Sequence, residues 1–451
     1  MKIQKQVPLT EGPILKSLTG LAVPIMISSF LGTLYNITDM AWIGLLGSKA
    51  VAAVGVGGMY VWLSQGLASL ARMGGQVHVA QCLGRGDKEQ AHRYAKTAVQ
   101  LSILLGLAFA AVSLLFTDPL VGFFKLEGAK TILDAKIYMR ITCGLILFSF
   151  LNLTLTGLYT AQGDSKTPFV ANFIGLLINL LLDPLLILGV GPFPRIEVAG
   201  AAVATVSAQL VVMLVMMVGV FRSKKEENVL KGIRLFEPFS KEELGNICKI
   251  GGPTAVQGMV YCMISMVLTR MVAAFGAEAI ATQRVGGQIE SVSWNTADGF
   301  AAALNAFVGQ NYGAKKMDRV QKGYRISFWT VAIWGALIML AFIIFPGPIA
   351  GVFFHEEKAM EIAISYLIII GFSEAFMCVE LMTIGALSGL GKTKLCSVIS
   401  ITATSMRIPL AMVLSRTSLG LDGIWWALTL TSVAKGIIFY LTFRYQMREK
   451  C

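Results

Sequence analysis

Residues 97–117, 198–221 and 326–354 each run without a single charged side chain, and no other feature restricts the fold so tightly. A bilayer core about 30 Å thick is crossed by about 20 apolar residues in a helix, so each run is long enough to span. Only a helix satisfies all its backbone hydrogen bonds within one such segment, and runs this long without alternation do not read as barrel strands. Composition agrees, with 55% of the 451 residues hydrophobic and 14% charged, against roughly 25% charged in soluble domains. The chain reads as an all-α integral membrane protein.

Charged and Gly/Pro-rich breaks divide it into about twelve transmembrane helices, near residues 15–45, 51–80, 93–117, 132–161, 167–190, 198–221, 246–273, 279–310, 325–346, 360–388, 395–415 and 423–443. The first span follows Lys2, Lys5 and Lys16, is longer than a secretory apolar region, and is expected to be retained. Alternate connections carry the bases: Arg85, Lys88, Arg93 and Lys96; Lys166; Arg222, Lys224, Lys225, Lys231, Arg234, Lys241 and Lys249; Lys315, Lys316, Arg319, Lys322 and Arg325; Lys392 and Lys394. The positive-inside bias puts these loops and both termini in the cytoplasm. Topology thus accounts for the net charge of +12, and no compact basic domain or aromatic platform supports nucleic-acid binding.

The chain repeats itself. At a shift of 229 residues Pro24 meets Pro253, Gly47 meets Gly276, Ala50 meets Ala279, Gly57 and Gly58 meet Gly286 and Gly287, Gln81 meets Gln310, and Gly84 meets Gly313. At a shift of 228, "GLYTAQGDSK" (157–166) lies over "GALSGLGKTK" (385–394). Six helices per half make the repeats parallel, related by an axis along the membrane normal, and such halves enclose a central cavity suited to alternating access. The expected organisation is an N-lobe at 1–221, a cytoplasmic linker at 222–246 and a C-lobe at 247–451. "GLGKTK" lacks the glycine of a phosphate-binding loop, having Ala386 in its place, and reads as a helix-ending turn repeated by symmetry.

Several chemistries find no support. The seven cysteines are odd in number and scattered, which implies no disulfide or zinc framework. His78, His92 and His355 lie too far apart for a histidine metal centre, and no catalytic triad stands out. No cofactor and no enzyme activity are expected.

Charges inside the spans are the informative residues, because each costs about 2.5–3.5 kcal/mol on insertion scales. Asp39 follows Tyr35 and Asn36 by four and three residues, so one helix face carries a phenol, an amide and a carboxyl. Asp183 follows Asn179 by one turn and precedes Pro184, whose missing N–H frees a carbonyl. Asn152, Thr156 and Thr205 on neighbouring helices could complete an oxygen-lined pocket. A carboxyl kept from water can exchange a proton, and carboxylate, amide and hydroxyl oxygens can equally hold a small hard cation. The second half lacks both acids: Leu268 overlies Asp39, Ala411 overlies Asp183 and Arg407 overlies Asn179. Its intruders are Arg270, Arg284, Glu290, Asp298, Glu374, Glu380 and Arg407.

Together "TDMAWIGLLGSKAVAAVG", "FVGQNYGAKK", "QGDSKTP" and "NLLLDPLLI" resemble the multidrug and toxic compound extrusion (MATE) family over essentially the whole chain, in the branch with N-lobe carboxylates (DinF-like). The resemblance implies efflux of lipophilic, often cationic, organic compounds across the plasma membrane, driven by inward protons or sodium ions. It further implies that Asp39, Asn179, Asp183 and Thr205 form the coupling site, with possible sodium at Asp39, Asn179 and Asp183. Tyr35, Asn36, Asn152, Thr156 and Gln257 then line the cavity, Gln257 being neutral where another branch carries an acid. Pro24 matches a hinge in the first helix. The implied partners are small organic substrates and membrane lipids, with a monomer as the default state. Two matters stay open in the sequence: whether Glu290, Glu374 or Glu380 takes part, and whether the cargo is instead a lipid-linked precursor or a metabolite.

Overall fold

The computed structural model describes residues 7–126, 128–189, 194–223, 228–235, 237–238, 240–354 and 356–448. Lys2, Lys5, Lys224, Lys225, His355 and Cys451 lie outside them. The first half consists of α1 (Ile14–Gly44), α2 (Ser48–Arg85), α3 (Lys88–Leu115), a short α4 (Thr117–Gly122), α5 (Ala129–Gly144), α6 (Leu147–Ala161), α7 (Lys166–Ile187) and α8 (Glu197–Arg222). The second half follows the same order. It runs α9 (Lys241–Ala273), α10 (Ala277–Gly313), α11 (Met317–Ile344), a short α12 (Pro346–Gly351), α13 (Glu357–Gly371), α14 (Glu374–Gly389), α15 (Thr393–Ser405), α16 (Arg407–Leu414) and α17 (Leu421–Arg448).

Nine helical runs are long and apolar enough to cross a membrane, and two bent pairs raise the number to eleven among the described residues. The twelfth is α10, the 37-residue counterpart of α2. Two spans that read as single helices in sequence, 132–161 and 360–388, are broken: α5 meets α6 at 43° and α13 meets α14 at 50°. Each first segment ends on a glycine packed against a neighbouring helix, Gly144 on Leu114 and Gly371 on Phe342, so the chain turns where the close contact is made. A third span, 395–415, is interrupted at Met406, between α15 and α16.

The repeated turn behaves as its sequence suggests. Gly163 and Gly391 take φ of 82° and 79°, the left-handed backbone that ends a helix at low cost. Asp164 then caps α7, its Oδ1 accepting from the backbone N–H of Lys166 and Thr167 at 3.0 Å each.

Two compact units divide the chain inside helices and not within the linker: unit 1 contains Ile27–Gly258 with the chain start to Val7, and unit 2 contains Pro8–Met26 and Met259–Cys451. The N-terminal stem of α1 is therefore part of unit 2 and the stem of α9 part of unit 1. In unit 1, α2 packs on α3, α5 and α6, and α7 lies along α8. Bare glycines permit the closest approaches, as where a Cβ on Gly175 would stand 2.4 Å from Val212. Small residues at crossings suit a bilayer, where helices associate by packing and polar contacts without a hydrophobic drive. The linker docks on unit 1. Gln100 Nε2 donates to the carbonyls of Leu235 (2.8 Å) and Glu237 (2.7 Å), and Lys96 pairs with Glu237 at 2.8 Å. In unit 2, α10 packs on α11, α13 and α14, and α14 on α17. Six cysteines, Cys82, Cys143, Cys248, Cys262, Cys378 and Cys396, are free thiols.

Candidate functional site

The C-terminal part of α1, the C-terminal half of α7 and the start of α8 converge in unit 1. Tyr35 Oη donates to Thr205 Oγ1 at 2.9 Å. Asn179 Nδ2 reaches Tyr35 Oη at 3.5 Å and Asp183 Oδ1 at 3.4 Å, both long enough to be weak. Asn179 and Asp183 share a face because they are one turn apart, and α7 stays helical through Pro184. Asp39 is 8% exposed and Asp183 fully buried. Asp39 Oδ1 and Asp183 Oδ2 have no hydrogen-bond partner among the described residues. Buried polar atoms are nearly always satisfied, so two orphaned carboxylate oxygens in one cluster require an explanation.

A further residue belongs here that the sequence reading passed over. Tyr138 of α5 is buried and within electrostatic reach of both Asp39 and Asp183. Its ring lies over Gly57 of α2, where a Cβ would stand 2.4 Å away. The repeat carried the signal, because Tyr366 lies 228 residues further on and covers Gly286 in the same way.

Other expected lining residues lie elsewhere. Asn36 is exposed and joins none of these bonds. Asn152 does not reach the carboxylates; its Nδ2 donates to the backbone oxygen and Oε1 of Gln209, both at 2.8 Å. Thr156 turns to the Met216 sulfur, 4.0 Å away. Their helix, α6, packs on α8, and both bonds are made along that contact, although Asn152 Oδ1 has no hydrogen-bond partner among the described residues. Gln257 is half-buried on the α9 stem. Pro24 sits within an unbroken α1, two residues before the chain passes from unit 2 to unit 1.

Unit 2 has hydrocarbon in place of the two acids. Leu268 and Ala411 are buried in one apolar cluster with Val272, Ala279 and Ile424. Its acids gather elsewhere. Glu290 accepts from Tyr366 Oη. Glu374 accepts from Ser293 Oγ, leaving Oε1 without a partner among the described residues. Glu380 pairs with Lys435 at 2.8 Å, both side chains 6% exposed. Arg407 is buried and donates to Thr431 Oγ1 (3.0 Å) and Ser432 Oγ (2.9 Å). No group of three His, Cys, Asp or Glu side chains suited to a metal ion occurs among the described residues.

Two sixfold sets of spans in one chain, with buried uncompensated carboxyls in the first set, define a multi-pass membrane transporter. The protein belongs to the MATE family: the MatE family model matches residues 24–185 and 253–413, and the two segments begin at the paired prolines of the repeat. A probable multidrug resistance protein NorM from Thermotoga maritima is 28% identical over 98% of this chain and 95% of its own length. An FAD transporter from Shewanella oneidensis is 26% identical over 96% and 94%. Among solved structures, a MOP superfamily transporter from Pyrococcus furiosus superposes with a TM-score of 0.88 at 25% identity, covering 99% of both chains. A MATE protein in its straight conformation gives 0.90 at 24% identity, also over 99% of both. Members of this family are transporters and not enzymes, and this chain has their twelve-helix fold.

Proposed function

We propose that the protein is a secondary antiporter that exports lipophilic, often cationic, organic compounds in exchange for protons or sodium ions. It works as a monomer in the plasma membrane with both termini cytoplasmic. One observation carries this reading: Asp39 and Asp183 are buried in a single cluster, each with an orphaned oxygen. A bare buried carboxylate costs several kcal/mol, and a proton or a small hard cation removes that cost. The oxygens of Asp39, Asn179, Asp183 and Thr205 offer a donor set suited to either ion. Ion binding neutralises the cluster and lowers its attraction for a cationic substrate, so the two ligands disfavour one another. By linkage the effect is reciprocal.

A binding titration with a fluorescent lipophilic cation tests this. In the parent chain, affinity falls roughly tenfold or more as the coupling ion is added, within the usual range of coupling energies. In Asp39→Asn the dependence disappears. Affinity that ignores both pH and sodium in the parent chain would sink the reading.

A second reading, export of an anionic metabolite, is favoured by the similarity to an FAD transporter and by Arg72 of α2, whose buried Nε has no partner among the described residues. The lipid-precursor flippase has less support: Arg407 is buried and committed to Thr431 and Ser432.

A further inference from the structure

The bent segment before α1 is gripped by a single guanidinium. Arg319, near the start of α11, donates from Nε to the carbonyl of Leu9 (3.2 Å), from Nη1 to that of Gly12 (2.8 Å) and from Nη2 to that of Glu11 (2.7 Å). Asn311 Nδ2 adds a bond to Leu9 at 3.0 Å and Lys316 Nζ one to Thr10 at 3.0 Å. Leu9 is 1% exposed. The guanidinium also lies over the ring of Phe307, 5.5 Å from its centroid, which fixes its plane as well as its charge. Further along, α1 packs on α10 so closely that a Cβ on Gly299 would stand 2.4 Å from Met26.

All these contacts lie in unit 2, yet the same helix carries Tyr35 and Asp39 in unit 1. The second half has a matching device. The α9 stem is held in unit 1 by Gln90, whose Nε2 reaches Glu243 at 3.4 Å, and by Tyr94, whose Oη accepts from Asn246 at 2.9 Å. Gln90 lies 229 residues before Arg319, so one position in the repeat holds the other half's first-helix stem in both units.

We propose that Arg319 is a positioning residue for ion coupling. By clamping residues 9–12 it makes the α1 stem part of unit 2, so a change at Asp39 is transmitted along one helix to both units. The inference rests on the antiport reading above, and Arg319 does not touch ion or substrate.

The test uses the full chain in proteoliposomes and compares gradient-driven uphill efflux of a lipophilic cation with its gradient-free counterflow exchange. Arg319→Ala should keep the ion-substrate competition within about twofold of the parent, since the carboxylate cluster is intact. Its ratio of uphill efflux to counterflow should fall at least tenfold. Arg319→Lys should resemble Ala, because an ammonium cannot reach three carbonyls in a planar fork. A merely structural role would lower the amount of folded protein and leave the ratio unchanged. Should Arg319→Ala fail to fold, Gly12→Ala serves: Gly12 has φ 71° and open space around its Cβ position, so the substitution disturbs the clamped turn alone and should lower the same ratio. A native ratio in the folded variant, against a working parent, overturns the proposal alone. A parent without ion-driven efflux overturns the antiport reading and takes this inference with it.

Discussion

Asp183 and Asp39 are held differently, and their substitutions should differ accordingly. Asp183 has the Asn179 amide beside it on α7, whereas the buried Oδ1 of Asp39 has no hydrogen-bond partner among the described residues. Asn at either position keeps the shape and removes the charge, so both variants should express and fold while gradient-driven efflux falls at least tenfold. Tyr35→Phe deletes the bond to Thr205, worth about 1 kcal/mol, and should weaken ion affinity roughly fivefold, read from the ion dependence of substrate binding. In unit 2 the buried Glu380–Lys435 pair predicts a stability effect. Lys435→Met strands a buried carboxylate, which costs about 3–5 kcal/mol, so thermal unfolding should shift down markedly, and Glu380→Met in the same chain should restore much of the loss. The intramembrane acids were visible in the sequence because each breaks an apolar run. Tyr138 was marked only by its repeat partner Tyr366, because a tyrosine in α5 is unremarkable until packing brings α5 against α2.

Helix existence was legible from apolar runs, and the repeat from glycine and proline spacing, but breaks and crossings were not. The bends at Leu145 and Phe372 depend on what Gly144 and Gly371 meet on neighbouring helices, which no local pattern records. Close crossings make sharp predictions. A Cβ at Gly251 of α9 would stand 1.9 Å from the Leu70 carbonyl oxygen of α2, a backbone atom with little room to yield. Gly251→Ala should therefore destabilise the α9 stem by about 1–3 kcal/mol, the usual cost of overpacking, measurable as a lower unfolding temperature. The linker offers a pH handle outside the membrane. Its Glu237 is held below the usual carboxylate range by the Lys96 hydrogen bond and charge. A depressed carboxylate contributes stability above its unfolded value and loses it as pH falls through the folded one. Hydrogen exchange in the linker should accordingly rise at acid pH, and Lys96→Met should raise it already at neutral pH.

At the scale of the whole molecule, each unit contains the first-helix stem of the other half. A cut at the linker was the natural expectation from composition, because residues 222–246 form the one long polar stretch. Stem exchange is a long-range property, written in contacts such as Arg319 with Leu9 and Gln90 with Glu243 that are distant in sequence. The same asymmetry separates the units chemically: the place occupied by Asp39 and Asp183 in unit 1 holds Leu268 and Ala411 in unit 2. On the proposed function, the unit 1 carboxylates couple an ion gradient to export. The most direct test is efflux of a fluorescent lipophilic cation from proteoliposomes under a pH gradient or a sodium gradient imposed separately, with the parent chain beside Asp39→Asn. The expected result is efflux driven by one of the two gradients and lost in the variant. Efflux in Asp39→Asn that matches the parent, under the gradient that drives the parent, would contradict it.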